Sequence, residues 1–337
     1  MSRRSLLLAA AATAVLGACR PLDSRDQGAA WMVENSRWFG HQPGRVYLGL
    51  SQAEPDLADT EAALGRLGVH RSFFEFDDGD REDAQILADH AAGRLPWVSF
   101  KPPGSGPGTW GAVASGLADE ALRERARRYA GHSLPTVVTF NHEPSNDQSG
   151  TAAEFVAAYA RVHDVMQDET GLATVAFVPI LGDWEVNPNN ELGRPERFLT
   201  DEVLDRSAFV GVDLYQNAFG ATYAERLGRL VDLLEQLGRP DLMLGVGETG
   251  CTDAFGEPSA VQWWEDSWGW VLREHDRVGV VSYFNSPRNS KPDVFWPLDE
   301  SPAKVDSFRR SLASGAACRL DTLAAAPPLR TRTCAAR

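Results

Sequence analysis

The sequence lacks a basic stripe. Its 47 Asp and Glu outnumber its 33 Lys and Arg, and the formal net charge is −14. Proteins that bind nucleic acid carry a basic patch or stripe that neutralises phosphates, so nucleic acid is excluded as a partner. The acidic balance is explained more simply by solubility. We expect a monomer.

The chain also has no internal repeat, no low-complexity linker and no Gly-x-Ser-x-Gly motif. The missing motif argues against a lipid-anchored esterase, because that motif forms the nucleophile elbow of α/β-hydrolases. The four cysteines show no zinc-site spacing, and we expect neither metal nor cofactor. With 337 residues, 43% of them hydrophobic, the chain can build a large core in a single domain.

An apolar run, Leu6–Val15, follows Arg3 and Arg4. It is too short to cross a bilayer and is typical of a signal peptide. Leu16-Gly-Ala-Cys19 follows it and resembles a bacterial lipobox, which predicts a lipoprotein signal peptide over 1–18 and lipid attachment at Cys19. The alternative is an ordinary secretory signal with an incidental cysteine. The twin arginines also resemble those of a twin-arginine export signal, so we expect an exported protein that contacts the membrane only through its lipid, at the cell surface or in the periplasm.

Export implies an oxidising compartment for the remaining cysteines. Cys318 and Cys334 bracket the end of the chain, which suggests a disulfide that closes the tail and leaves Cys251 as a free thiol. Sequence alone does not fix this pairing.

Eight short apolar runs recur along the middle of the chain, and their starts are 24 to 39 residues apart. They are Val46–Leu50, His70–Phe76, Trp97–Phe100, Thr136–Phe140, Thr174–Val178, Phe209–Asp213, Leu242–Val246 and Gly279–Phe284. Each gap has room for a helix, so the pattern predicts an α/β fold, a single-domain (β/α)8 TIM barrel over residues 45–314.

Helix signals lie in the gaps between these runs. Thr151-Ala-Ala-Glu154 and Thr222-Tyr-Ala-Glu225 have the spacing of capping boxes. Residues 19–44 are predicted to be a tether whose later half packs on the barrel, and residues 315–337 an irregular tail. The fifth connection, 179–207, is predicted to be mostly loop.

Polar side chains cluster where the predicted strands end, which is where a TIM barrel has its active site. The candidates are Glu75, Asp77, Asp78, Lys101, Asn141, His142, Glu143, Asp183, Trp184, Asp213, Tyr215, Gln216, Glu248, Tyr283, Asn285 and Arg288. The aromatic side chains of Trp110, Trp184 and Trp296 are candidates for stacking on sugar rings. Glycines flank Glu248 and would allow close approach of a substrate.

Glu143 and Glu248 follow the fourth and seventh predicted strands, which lie on roughly opposite sides of an eight-stranded barrel. Cleavage of a glycosidic bond requires two carboxyl groups. With the two carboxyl groups about 5–5.5 Å apart, one gives a proton to the leaving oxygen and the other attacks the anomeric carbon. We assign Glu143 as acid/base and Glu248 as nucleophile.

The order of these motifs resembles glycoside hydrolase family 26, a retaining family of (β/α)8 barrels in clan A. The resemblance covers residues 45–313 and is carried by His142-Glu143, Val212-Asp-Leu-Tyr215 and Gly247-Glu248. It implies a glycosidase that hydrolyses O-glycosyl bonds of a β-linked polysaccharide: a β-mannan, a xylan or a mixed-linkage β-glucan. It also implies that His142 contacts the sugar and that Tyr215 hydrogen-bonds the nucleophile.

The remaining predicted substrate-binding residues are Asn141, Trp184, Lys101, Asn285 and Trp296. Two stretches depart from the family's mannanases. Pro144-Ser-Asn-Asp147 replaces the Met-Asn-Gly stretch after the first glutamate, and Thr249-Gly250 replaces Phe-Gly after the second. Because of these departures, a non-catalytic carbohydrate-binding lipoprotein on the same barrel stays open as the alternative.

Overall fold

The computed structural model describes residues 37–52, 56–147, 149–191, 193–218, 220–287 and 295–321. The predicted signal peptide with Cys19, the residues Trp31 and Arg288, and the predicted partner of Cys318, Cys334, lie outside the described residues. Within the described part of the chain, no helix combines the length and apolar character that a bilayer crossing requires.

All eight predicted strands form. In chain order the strands are β1 Val46–Ser51, β2 Val69–Phe74, β3 Leu95–Phe100, β4 Thr136–Phe140, β5 Val175–Phe177, β6 Ile180–Gly182, β7 Phe209–Tyr215, β8 Met243–Gly250, β9 Val278–Phe284 and β10 Ala317–Cys318. The residues of β1, β3, β4, β8 and β9 are all buried. Strands buried on both faces are expected where a parallel sheet is covered by helices.

The strands pair in parallel in the order β5-β4-β3-β2-β1-β9-β8-β7-β6. The two ends of this order, β5 and β6, are pieces of one extended segment separated only by Val178 and Pro179. The sheet therefore closes on itself, and the predicted (β/α)8 barrel is confirmed.

The fifth predicted strand is longer than its apolar run and is interrupted in the middle. Pro179 has no backbone N–H, so the regular ladder breaks there. Hydrogen bonds still cross the break: Val178 N donates to Val138 O at 2.9 Å, and Gly211 N donates to Pro179 O at 2.8 Å. The extension to Gly182 directs the chain into the barrel mouth.

The helices are α1 Leu57–Leu64, α2 Gly79–Ala92, α3 Thr109–Ala114, α4 Asp119–Ala130, α5 Ala152–Thr170, α6 Asp183–Val186, α7 Asp201–Leu204, α8 Tyr223–Gln236, α9 Glu257–Arg273 and α10 Pro302–Leu312, with 3₁₀ turns at Pro195–Arg197, Asp253–Phe255 and Leu298–Glu300. Both predicted capping boxes are confirmed, at the starts of α5 and α8. The described residues of the fifth connection are mostly loop, as its turn-rich sequence predicts, and they include the strand β6, the short helices α6 and α7 and the 3₁₀ turn at Pro195–Arg197.

Apolar side chains fill both the layer between strands and helices and the lower end of the barrel. The lower end contains Trp38, Trp97, Phe209 and Met243, which are all buried. The Trp38 and Phe209 ring centroids are 5.0 Å apart. The segment that precedes β1 therefore packs against the amino-terminal ends of the strands, as predicted for the later half of the tether.

The prediction that residues 315–337 form an irregular tail is wrong at its start. Val46 pairs with Ala317 and Tyr47 with Cys318, so β10 adds a short parallel strand beside β1. The Cys318 side chain is buried because it lies in the apolar cluster at the lower end of the barrel. β2 pairs only with Leu50 and Ser51 of β1, so the first residues of β1 are left for β10. Residues too few to show periodicity can still form a strand when such unpaired strand backbone is present.

Candidate active site

A cleft of about 950 Å³ opens at the carboxyl-terminal ends of the strands. Of the nine residues predicted as catalytic or substrate-binding, seven line it: Lys101, His142, Glu143, Trp184, Tyr215, Glu248 and Trp296. Four of the other strand-end candidates line it as well: Glu75, Asp78, Asp183 and Gln216. The seven come from loops and strand ends spread over nearly 200 positions of sequence, so the barrel brings together residues that are distant along the chain.

Glu248 lies beyond a β-bulge in β8. Val212 pairs with Val246 and Asp213 with Glu248, which leaves Gly247 as the extra residue. A bulge redirects the side chains that follow it. Tyr215 Oη donates a hydrogen bond to Glu248 Oε2, and Arg71 Nη2 lies 3.4 Å from Glu248 Oε1. One carboxylate oxygen therefore has a hydroxyl donor and the other faces a buried cation.

Arg71 itself is held from the other side by Asp213. Arg71 Nη1 donates to Asp213 Oδ1 at 2.8 Å, and both side chains are fully buried. Removing one partner of such a buried pair leaves an uncompensated charge and costs about 3–5 kcal/mol. The pair therefore forms a rigid base under Glu248.

Gly247 makes room for this base. A Cβ at position 247 would lie 1.9 Å from Arg71 Nη1 and 2.5 Å from Asp213 Oδ1. We expected the glycines beside Glu248 to admit a substrate. The structure instead shows that Gly247 accommodates the guanidinium of Arg71, while Gly250 accommodates Trp296 and Tyr215.

Glu143 lies at the end of β4 in different surroundings. Its backbone φ is 50°, in the left-handed region, where non-glycine residues are uncommon and often functional. Glu143 N donates to Ile180 O at 2.9 Å, and Asn146 Nδ2 donates to Glu143 Oε2 at 3.1 Å. Burial, and then the negative charge of Glu248, raises the pKa of Glu143 to about 7. The side chain can therefore hold a proton near neutral pH and release it.

The charge of Glu248 acts on the pKa of Glu143, so the two carboxyl groups interact across one cleft. Glu248 is held by Arg71 and Tyr215, whereas Glu143 is largely buried and has a single amide donor, Asn146. Protein sites separate an acid from a nucleophile by placing two carboxyl groups in such different environments.

His142 packs against Phe73 in the cleft, with ring centroids 5.2 Å apart. Burial, together with the positive charges of Arg71 and Lys101, holds the pKa of His142 well below its usual range. The imidazole is therefore neutral at physiological pH and has one donor and one acceptor nitrogen for hydrogen bonds.

Aromatic rings occur on several walls of the cleft. Trp184 is 53% exposed, Phe255 is 40% exposed and Phe73 is 36% exposed, and all three line the cleft. Trp296 also lines it, and its ring packs on Tyr215 at a centroid distance of 4.7 Å. Exposed rings in a groove with hydrogen-bonding groups suit sugars, which have one apolar face and a rim of hydroxyls.

Two predicted substrate-binding residues do not line this cleft. The side chain of Asn141 is buried: its Oδ1 accepts from Trp110 Nε1 at 2.9 Å and its Nδ2 donates to Asp147 Oδ2 at 3.2 Å. Asn285 donates to Gln52 Oε1 at 2.6 Å and accepts from Leu298 N at 2.8 Å, and it lines a neighbouring cavity of about 590 Å³. The amides of both side chains are engaged by the protein, so these two assignments are corrected to structural roles.

Trp110, expected as a stacking surface on a loop, is instead 1% exposed within α3. Its ring packs edge-on against Phe155, with centroids 5.3 Å apart. It belongs to the core and supports Asn141.

Arg71 and Phe73 were missed in the sequence because they lie inside an apolar run predicted only as strand. A signal was available for Arg71, since an arginine within a buried strand must have a partner. Nothing local indicates that this partner is Asp213, 142 residues further on.

Among the described residues, no group of three or more His, Cys, Asp or Glu side chains could hold a metal ion. Cys251 is a free, buried thiol whose Sγ lies 3.5 Å from Tyr283 Oη.

Fold and site together define a closed (β/α)8 barrel with a carboxylate- and aromatic-lined cleft at its mouth. No family model matches the chain, and no curated protein matches it by sequence. Solved structures do match. A GH26 β-mannanase from Bacteroides ovatus is 15% identical, with a TM-score of 0.62 over 88% of this chain and 95% of its own.

The catalytic domain of a GH26 endo-β-1,4-mannanase from Bacillus sp. JAMB-750 gives a TM-score of 0.61 at 13% identity, over 88% of this chain and 92% of its own. Fungal β-1,4-galactanases give a TM-score of 0.57 at 12% identity, over 79% of this chain and 99% of theirs. The resemblance to glycoside hydrolase family 26 indicated by the sequence motifs thus extends to the fold.

Proposed function

We propose that this protein is a retaining glycoside hydrolase, distantly similar to family 26, that cleaves a β-linked polysaccharide. Glu143 is the acid/base and Glu248 the nucleophile. The observation that carries the proposal is the contrast between the two carboxyl groups in one cleft. The pKa of Glu143 is raised to about 7, whereas Glu248 is held by Tyr215 and Arg71.

In the first step, Glu143 gives its proton to the glycosidic oxygen while a Glu248 oxygen attacks the anomeric carbon. The bond to the leaving sugar breaks and an ester bond to Glu248 forms. In the second step, Glu143 takes a proton from water, the water oxygen attacks the same carbon, and Glu248 leaves as a carboxylate. Two displacements retain the anomeric configuration.

Arg71 and Tyr215 serve the nucleophile in this scheme. Because both donors are fixed in the barrel, the attacking oxygen needs little reorganisation before it reaches the sugar. The neutral His142 beside Glu143 is suited to a hydrogen bond with a sugar hydroxyl, and the exposed cleft aromatics are suited to stacking.

The structural neighbours, which are named as β-mannanases and β-1,4-galactanases, support a β-linked polysaccharide as the substrate. The sequence departures after both glutamates set this chain apart from the mannanases. The neighbours favour a β-mannan-like substrate, and because of these departures we keep xylan and β-glucan as alternatives within the same class.

Incubation of the protein with mannans, xylans, β-glucans and aryl β-glycosides tests the proposal. We expect cleavage of at least one, and NMR of the first-formed product should show the anomeric configuration of the substrate. An inverted product would refute the double displacement, and no cleavage of any substrate would refute the hydrolase. Saccharide binding without turnover, unchanged in Glu248→Gln, would favour the carbohydrate-binding lipoprotein.

We also propose that the protein is exported and anchored by lipid at Cys19. The support is the order of twin arginines, apolar run and lipobox-like Leu16-Gly-Ala-Cys19. Labelling with a lipid precursor, followed by mass analysis, should show a labelled wild type and an unlabelled Cys19→Ala variant. A label on neither protein would leave an ordinary secretory signal as the explanation.

A further inference from the structure

Asp183 is a cleft residue whose role the two-carboxylate scheme leaves open. It is the first residue of α6, directly after β6, and it lines the cleft. Its side chain is 27% exposed, and its Oδ1 is buried 2.9 Å from Arg226 Nη1. Because that oxygen faces the arginine, the exposed part of the carboxylate faces the cleft.

Arg226 fixes this carboxylate from below. Its side chain is fully buried, and the same Nη1 donates to Tyr215 O at 2.7 Å. One guanidinium on α8 thus holds both Asp183 and the backbone of the tyrosine that contacts Glu248. A carboxylate that can leave its position only by exposing a buried cation is a preorganised acceptor.

The position of Asp183 relative to Glu143 indicates which part of a substrate it would meet. Gly182, the preceding residue, packs so closely on the acid/base that a Cβ there would lie 3.2 Å from Glu143 Oε1. Trp184, the following residue, presents an exposed indole to the same cleft. The acid protonates the leaving oxygen, so the sugar bonded to that oxygen lies on the Glu143 side.

We propose that Asp183 and Trp184 form the binding site for the leaving-side sugar, and that this site selects a neutral sugar with free hydroxyls. The carboxylate accepts hydrogen bonds from hydroxyl groups, and the indole stacks on the apolar face of the ring. A uronic acid at this position would bring a second carboxylate to an acceptor that has no proton to share. The proposal rests on the proposed hydrolase function and names the substrate feature that it recognises.

The test compares two substrates that share the sugar on the other side of the bond. One is a β-linked oligosaccharide, which has a sugar on the leaving side, and the other is an aryl β-glycoside, which does not. In Trp184→Ala, the ratio of kcat/KM for the oligosaccharide to kcat/KM for the aryl glycoside should fall about tenfold. Phe255→Ala is the matched control, because it removes a similarly exposed cleft aromatic that follows the strand of Glu248; its ratio should fall less.

A second readout uses the covalent intermediate. With aryl glycoside as donor, added oligosaccharide competes with water as acceptor and binds on the leaving side. The ratio of transfer product to hydrolysis product should fall about tenfold in Asp183→Asn and Trp184→Ala relative to the wild type. A uronic acid oligosaccharide should be a poorer acceptor than a neutral one for the wild type, and this difference should shrink in Asp183→Asn.

Equal loss on both substrates, or unchanged transfer in both variants, would overturn the leaving-side assignment while leaving the hydrolase intact. If the wild type cleaves nothing, the hydrolase proposal fails, and calorimetric titration with the neutral oligosaccharide still tests the site. Weaker binding to Trp184→Ala than to Phe255→Ala would then support a sugar site at Asp183 and Trp184, and equal binding would refute it.

Discussion

The ends of β4 and β8 carry the same residue type in opposite surroundings. On β8, Glu248 follows a bulge, accepts a hydrogen bond from Tyr215 and pairs with the buried cation of Arg71. On β4, Glu143 sits on a left-handed backbone and has one amide donor, with its pKa raised by burial. Environment rather than residue type thus distinguishes the two proposed roles, and changes at one end should have different consequences from matching changes at the other.

The largest expected effect is on the β8 side. Glu248→Ala removes the attacking atom for every substrate, which should raise the barrier by about 5 kcal/mol and lower kcat by about 10⁴-fold. Steady-state rates on both an oligosaccharide and an aryl glycoside measure this loss. Glu120→Ala, an exposed glutamate on α4, is the control and should keep the wild-type rates. Full activity of Glu248→Ala would remove the nucleophile assignment.

The matching change on the β4 side should depend on the leaving group. Glu143→Gln keeps the shape but cannot supply a proton, and general acid catalysis contributes about 10²–10⁴-fold. We expect a loss of that size on an oligosaccharide and a smaller loss on an aryl glycoside, whose leaving group departs with less need of a proton. An equal loss on both substrates would contradict the acid role.

The glycines beside the two glutamates provide a paired test of rigidity. In Gly247→Ala the new Cβ would collide with the buried Arg71–Asp213 pair, and overpacking of this kind costs about 1–3 kcal/mol of stability. We expect kcat to fall by about 100-fold as Arg71 shifts from Glu248, since about 2.7 kcal/mol corresponds to two powers of ten.

Gly182→Ala is the counterpart, because its Cβ would meet the flexible end of Glu143 at 3.2 Å. Its loss of kcat should stay below about tenfold. Thermal unfolding of both variants separates loss of fold from loss of geometry. If kcat fell more in Gly182→Ala than in Gly247→Ala, the surroundings of Glu143 would be more rigid than those of Glu248, contrary to this account.

The smallest expected effect is a displaced pH profile. Glu143 must be protonated for the first step, so kcat/KM should fall as pH rises through about 7. The Asn146 amide favours the ionised form of Glu143 and lowers its pKa. Asn146→Ala should therefore raise the pKa and move the basic limb of kcat/KM to higher pH. A limb that stays in place or moves lower would contradict this account.

The sequence predicts those strands and helix starts whose signals come from residues adjacent in the chain. Eight apolar runs indicate the strands, and two capping boxes locate the starts of α5 and α8, because both patterns are local. It does not predict that the strand begun by β5 resumes beyond Pro179 as β6, since a proline between two short runs favours a loop. Nor does it predict β10, whose pairing depends on an edge provided by residues far away in the chain.

The candidate site residues also include some that the local sequence predicts and some that it does not. Glu143 and Glu248 are found from their positions at strand ends, but Arg71 is missed because its partner, Asp213, lies in another strand. Asn141 and Asn285 satisfy the same strand-end rule, yet their amides bond to Trp110 and Gln52. Position along a strand indicates which side chains reach the mouth, whereas long-range packing decides which of them stay available to a ligand.

The packing of Trp38 at the lower end of the barrel distinguishes the end where the chain enters from the end where the cleft opens. The chain enters at the end where Trp38 meets Phe209, and the cleft opens at the opposite end. In the proposed lipoprotein, the segment that leads to Cys19 is therefore joined to the barrel at the end opposite the cleft. Attachment and cleavage, as proposed, thus belong to opposite ends of the same barrel.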